Sequence, residues 1–176
     1  MNIEVNCEYG QDAIEGVPVR ELAVFALERE GCPGNTEVSI SFVDDEEMAR
    51  LNEEFRGKPG PTDVLSFECD GLDDEMGEGG FAAPDMPFEL GDIIIAVDVT
   101  RRQTEQFGTT FEGEVSVLLL HGLLHLCGYD HIEDEEAEVM EAREAELLRA
   151  WAFERGVDLS VFGEFNGPAA LVRGEH

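Results

Sequence analysis

A chain of 176 residues, 43% of them hydrophobic, has the length and apolar content for one globular domain with a buried core. Its 41 acidic residues against 11 basic ones give a formal net charge of −30, which argues against a surface that holds nucleic acid by phosphate attraction at ordinary ionic strength. No apolar run reaches membrane-spanning length, and Met-Asn-Ile-Glu-Val at the start lacks the basic and apolar regions of a signal peptide, so a cytoplasmic protein with no membrane partner is expected.

Ile3–Cys7 alternates in polarity and predicts a first strand. After a turn at Gly10, Val17–Glu30 places Leu22, Phe25 and Ala26 on helical spacing, with Pro18 in the first turn and Gly31 as a stop. Glu37–Val43 alternates cleanly as a second strand. Asp44 or Asp45 then caps a helix to about Phe55, with Met48, Leu51 and Phe55 expected to face inward. A Gly/Pro-rich turn follows and carries Arg56 and Lys58, the latter the only lysine. Arg56 has the geometry to fork onto a phosphate; its pairing with one of the many carboxylates is equally expected from charge alone.

The acidic stretch Glu68–Glu89 exceeds ordinary loop length and predicts an insertion. Leu90–Val97 is a β-branched run that predicts a buried strand, and Asp98 opens a polar helix to Phe107. There Arg101 and Arg102 are expected to be solvated rather than bound to phosphate. Phe111–Leu126 is apolar nearly all round, so it predicts the central buried helix. In the last helix, Ile132–Arg155, Glu144 interrupts the stripe of Ala137, Met140, Leu147, Leu148 and Trp151, which predicts docking along only part of its length. Residues 1–155 are therefore expected to form one domain, with 68–89 as an acidic insertion and 156–176 as a C-terminal tail without strong periodicity. His176 has no expected role.

Three of the four histidines lie in His121-Gly-Leu-Leu-His125-Leu-Cys-Gly-Tyr-Asp-His131. Four residues apart on a helix, His121 and His125 share one face a turn apart, Gly128 ends the helix, and His131 arrives from the turn beyond. Three imidazoles make a metal centre with one position open, zinc being the default for all-imidazole ligation. Cys7, Cys32, Cys69 and Cys127 show no CxxC pairing and predict reduced thiols, with Cys127 packing as a small hydrophobe off the histidine face. The histidine spacing is that of the extended zincin motif, but Gly122 stands where a metallopeptidase carries its general-base Glu. That argues against peptide hydrolysis.

H-G-L-L-H-L-C-G-Y-D-H resembles the signature of the YbeY endoribonucleases, the rRNA maturation factors of bacteria. R-G-K-P-G-P-T-D-V-L-S-F is similar to that family's second motif and L-G-D-I-I-I to its third block, in the family's order, and the resemblance covers Asn2 to Arg155. It implies an α+β fold, with a small mixed four-stranded sheet packed with about five helices around a zincin-like central metal helix. It also implies one Zn2+ per chain on His121, His125 and His131. The implied activity is cleavage of single-stranded RNA in 16S rRNA 3′-end maturation, ribosome quality control and small-subunit assembly, with the small ribosomal subunit and its proteins as partners. Arg56 takes the place of the family's arginine, implied to hold substrate phosphate, with Lys58 beside it. The nucleophile is left open between water activated at the metal and the ribose 2′-hydroxyl. A hydrolase of another substrate and a zinc-stabilised, non-enzymatic assembly factor are the competing readings.

The sequence departs from the family in the length of its acidic insertion and in lacking a basic cleft. A net charge of this size is tolerable in concentrated salt, where the Debye length is about 3 Å near 1 M, and a salt-rich cell interior is the expected setting. Thermal melting should therefore show a clearly higher midpoint in molar salt than in dilute buffer; equal midpoints would set that setting aside.

Overall fold

The computed structural model describes residues 1–68, 88–129, 133–162, 164–166 and 170–172. Four strands, β1 (Asn2–Cys7), β2 (Thr36–Val43), β3 (Val64–Glu68) and β4 (Phe88–Ala96), form one sheet in the order β1-β2-β4-β3. β2 pairs in parallel with both β1 and β4, and β3 runs antiparallel along β4 at the edge. The expected mixed four-stranded sheet is what forms. Around it, among the described residues, lie six helices: α1 (Gln11–Ile14), α2 (Val19–Arg29), α3 (Asp45–Arg56), α4 (Val97–Phe107), α5 (Phe111–Leu126) and α6 (Asp134–Arg155). The sixth, beyond the five expected, is the single turn α1, too short to show a period.

Strand register sorts the sheet's two faces. Val38, Ile40, Phe42, Ile93 and Ile95 are all buried on the face covered by α2 and α5. Ser39, Ser41, Asp92 and Ile94 alternate with them on the opposite face. There α3 lays Met48 and Leu51 on Val43, Leu65 and Ala96, a smaller second core. The alternating pattern of β2 thus separates a fully apolar face from a half-polar one.

Each long helix shows a physical reason for its bounds. Asp44 Oδ1 accepts the backbone N–H of Glu47 at 2.9 Å to open α3, and Gly57 closes it at φ 66°. Thr110 caps α5 the same way through Gly113 N–H at 3.0 Å. Thirteen residues of α5 are buried, so it is the central helix its composition predicts. It approaches its neighbours closely at two glycines. A Cβ at Gly122 would stand 3.0 Å from Ile93 Cγ2, and one at Gly113 would stand 1.9 Å from the Val161 carbonyl oxygen.

Several boundaries differ from those expected. Glu68 ends β3, and Phe88 and Glu89 open β4, so the expected insertion is shorter at both ends; its remainder, 69–87, lies outside the described residues, as do Cys69, residues 130–132 and His176. The 156–176 segment includes a 3₁₀ turn, Leu159–Phe162, and a short antiparallel pair, β5 (Glu164–Asn166) with β6 (Ala170–Val172). α6 buries no residue before Met140 and from there buries Met140, Glu144, Ala145, Leu147, Leu148, Trp151 and Ala152, so it docks along only part of its length, as expected. Glu144 does not interrupt its docked face: the carboxylate is itself buried, at 6% exposure. No described helix is long and apolar enough to cross a membrane.

Replacing Gly113 with alanine forces a methyl into the Val161 carbonyl. Denaturant titration should show a loss of about 1–3 kcal/mol, as overpacking gives, despite alanine's better helix propensity. A more stable Gly113→Ala variant would contradict this close approach.

Candidate metal centre and its cavity

His121 and His125 emerge from the last two turns of α5, where their ring centroids stand 4.7 Å apart at an interplanar angle of 81°. His121 is buried, and His125 is partly exposed. Behind them, Glu144 of α6 brings Oε1 to 2.6 Å from His121 Nδ1. A neutral imidazole that donates its Nδ1 proton to this carboxylate keeps its lone pair on Nε2, the arrangement by which an outer carboxylate orients a metal-binding histidine.

The two described histidines and the carboxylate behind them have the chemistry to contribute to a metal site. Two imidazoles share a face, and one has a buried carboxylate within hydrogen-bond distance of its Nδ1. Among the described residues no group of three His, Cys, Asp or Glu side chains closes around a metal position. His131, the expected third ligand, lies outside those residues. Cys127 turns its sulfur away, 3.9 Å from Cys32 Sγ. Burial first, then Cys32, raises its thiol well above the usual range, so it stays protonated, as a packing residue would.

Gly122 has a structural explanation. Its missing side chain leaves room for Ile93, whose Cγ2, Cδ1 and Cγ1 would lie 3.0–3.3 Å from a Cβ there. A glutamate at this position would meet the sheet, so the position that carries the peptidase's base is occupied by core.

Tyr129, just beyond α5, is held by Glu30. Tyr129 donates its hydroxyl proton to Glu30 Oε2 at 3.2 Å, and Arg143 Nε donates to Glu30 Oε1 at 2.8 Å. Arg143 also pairs with Glu146. Glu30 therefore joins α2, α6 and the exit from α5. Sequence reading missed both Glu30 and Glu144. For Glu144 a signal existed: a lone carboxylate inside an apolar stripe requires a buried partner.

A cavity of ≈ 820 Å³ opens beside His125. It is lined by residues on both sides of the edge strand β3, among them Ser41, Phe55, Phe67, Glu68, Asp92 and Tyr129. Burial first, then Glu4 and Glu89, raises the Asp92 carboxyl above its usual range.

Arg56 is the last residue of α3 and Lys58 follows in the turn; both are exposed, and neither lines the cavity, although Phe55 does. Among the described residues Arg56 makes no ion pair, so its expected pairing with a carboxylate is not seen there. The turn that follows it is held by Asn52 Nδ2, which donates to the Gly60 carbonyl at 2.8 Å. Asp63 holds it as well, accepting Val64 N–H at 2.8 Å and Gln103 Nε2 at 3.1 Å. Arg101 and Arg102, expected to be solvated, form exposed ion pairs with Asp98 and Asp45.

Comparison with known proteins agrees with this architecture. The family model described as endoribonuclease YbeY matches residues 6–152. Proteins named endoribonuclease YbeY from Bacillus subtilis and Bacillus cytotoxicus are 44% and 42% identical to this chain over 139 residues, which is 78% of this chain and 86% of each relative. One from Macrococcus caseolyticus is 42% identical over 79% of this chain and 87% of its own. The solution structure of TM1509 from Thermotoga maritima superposes with a TM-score of 0.51 at 26% identity, covering 86% of this chain and 93% of that one.

If Glu144 orients His121 for a metal, Glu144→Gln should weaken Zn2+ binding roughly 10–100-fold, the usual effect of losing an outer carboxylate. Competition with a chromophoric chelator reads this directly; an unchanged affinity would make the contact purely structural.

Proposed function

The chain belongs to the YbeY endoribonuclease family, and from that membership we propose that it is a metal-dependent endoribonuclease that cuts single-stranded RNA. Its proposed setting is the cytoplasm, where it acts in 16S rRNA 3′-end maturation, ribosome quality control and small-subunit assembly, in contact with the small subunit and its proteins. The observation that carries the reading is the buried Glu144–His121 contact at 2.6 Å beside a cavity that reaches His125. Such a pairing is expected where an imidazole must present one nitrogen to a metal.

We assign one Zn2+ to His121, His125 and His131. When bound, the metal supplies Lewis acidity that polarises a phosphoryl oxygen. The chain's own residues do the rest. Glu144 holds the Nδ1 proton of His121 and keeps the ring from turning. Arg56, exposed at the end of α3, forks onto a phosphate and balances the negative charge that builds on it in the transition state. Lys58 adds a second cationic contact from the same turn, whose shape Asn52 and Asp63 maintain. Gly122 offers no carboxylate to take a proton, and Ile93 fills the space beside it, which disfavours a peptidase.

A second reading is supported by the net charge of −30: a non-enzymatic assembly factor whose acidic surface docks basic ribosomal proteins. End-labelled single-stranded RNA incubated in molar salt separates the two. The enzyme reading expects cutting that disappears on chelation and returns with Zn2+. Arg56→Ala should then lower turnover by about 10²–10³-fold, the effect of removing one charge-stabilising group, with bound metal unchanged. Loss of metal in that variant would make Arg56 structural. Products ending in 2′,3′-cyclic phosphate would identify the ribose hydroxyl as nucleophile, and zinc-loaded protein that cuts no RNA would favour the assembly factor.

A further inference from the structure

The helical period of α3 places Phe55 on the stripe of Met48 and Leu51, expected to face inward, yet the residue is 58% exposed. The stripe outruns the core: Met48 and Leu51 lie on Leu65 and Ala96, and one turn later the helix overhangs the cavity that reaches His125. There Phe55 meets Phe67 of β3, with ring centroids 5.1 Å apart at 63°. Gly57, at φ 66°, reverses the chain immediately afterwards. Nothing described covers the rest of the ring.

The cavity's described wall also lacks lysine and arginine. Its charged members are Glu68 and Asp92, with Glu4 and Glu89 near the latter. An RNA chain entering this space gains no phosphate attraction from that wall, so whatever affinity the wall itself contributes must come from contacts that do not depend on charge. Stacking of an unpaired base on an aromatic ring is such a contact, and every base has a π-face to offer. Duplex RNA cannot offer one without unpairing.

We propose that Phe55, backed edge-on by Phe67, is a stacking platform for an unpaired nucleobase of RNA lying in the cavity beside His125, and so a positioning residue that selects single strands. This rests on the endoribonuclease reading and extends it to how the substrate is held. Ser41 and Ser66, hydroxyls in the same wall, are placed within the cavity that the stacked nucleotide occupies.

The test uses the full zinc-loaded chain in molar salt and single-stranded oligoribonucleotides carrying 2-aminopurine at successive positions. Wild type should quench one position strongly. Phe55→Leu keeps apolar cover on Phe67 but removes the π-face, and should abolish that quench. It should also raise Kd and KM about 5–150-fold, the factor carried by one base–aromatic stack, with kcat changed far less. Phe55→Tyr should restore all three readouts. Because stacking is uncharged, the fold-loss should be the same at lower salt that still preserves folding. If wild type binds and cuts RNA while Phe55→Leu matches it in quench and KM, the platform is wrong and the endoribonuclease reading stands. If wild type neither binds nor cuts RNA, the endoribonuclease reading fails and the platform fails with it.

Discussion

A carboxylate buried beneath an imidazole constrains this structure more than any other contact. Removing Glu144 from water costs several kcal/mol unless a partner compensates, and His121 Nδ1 at 2.6 Å is that partner. The pair joins the two helices that cannot otherwise read each other's register: α5, apolar almost all round, and α6, which buries residues only from Met140 onward. Hydrophobic faces slide past one another at modest cost, whereas a buried hydrogen-bonded charge has one acceptable position. With Glu144 in place, Leu147, Leu148 and Trp151 fall onto the core and the His121 ring is fixed.

The rest of the scaffold serves to hold α5 still. Gly122 lets the helix settle against Ile93, and Gly113 lets it settle against the Val161 carbonyl. Those approaches place the imidazoles on a rigid element packed from several sides, as a site needing sub-ångström placement requires. Charge then fastens the exit of α5, where Glu30 accepts from both Tyr129 and Arg143. On a surface of net charge −30, such enclosed pairs are less exposed to screening than the surface ions.

Much of this was legible in the sequence because it follows from local periods. The alternation of β2, the all-round apolarity of α5 and the spacing of His121 and His125 each predicted the element that forms. The misreadings share a cause, which is that tertiary partners are invisible to a period. Glu144 breaks a stripe and predicts docking along part of the helix; α6 does bury residues only from Met140 onward, but the break itself marks a buried partner 23 residues away. Phe55 continued a stripe and was expected inside, when the core beneath had already ended. Arg56 was identified by its motif, but the sequence held no information on its neighbours. The hydrogen bonds of Asn52 and Asp63, which shape its turn, look like ordinary loop polarity until the chain is folded.

The central claim is that Glu144 fixes the proton of His121 on Nδ1 so that Nε2 faces a metal. Long-range ¹⁵N–¹H correlation of the histidine rings reads this directly in uniformly labelled protein before and after Zn2+ loading. The account predicts a proton on His121 Nδ1 in the loaded protein and a large ¹⁵N shift of Nε2 when the metal is added. A proton found on Nε2, or an Nε2 resonance indifferent to Zn2+, would contradict it.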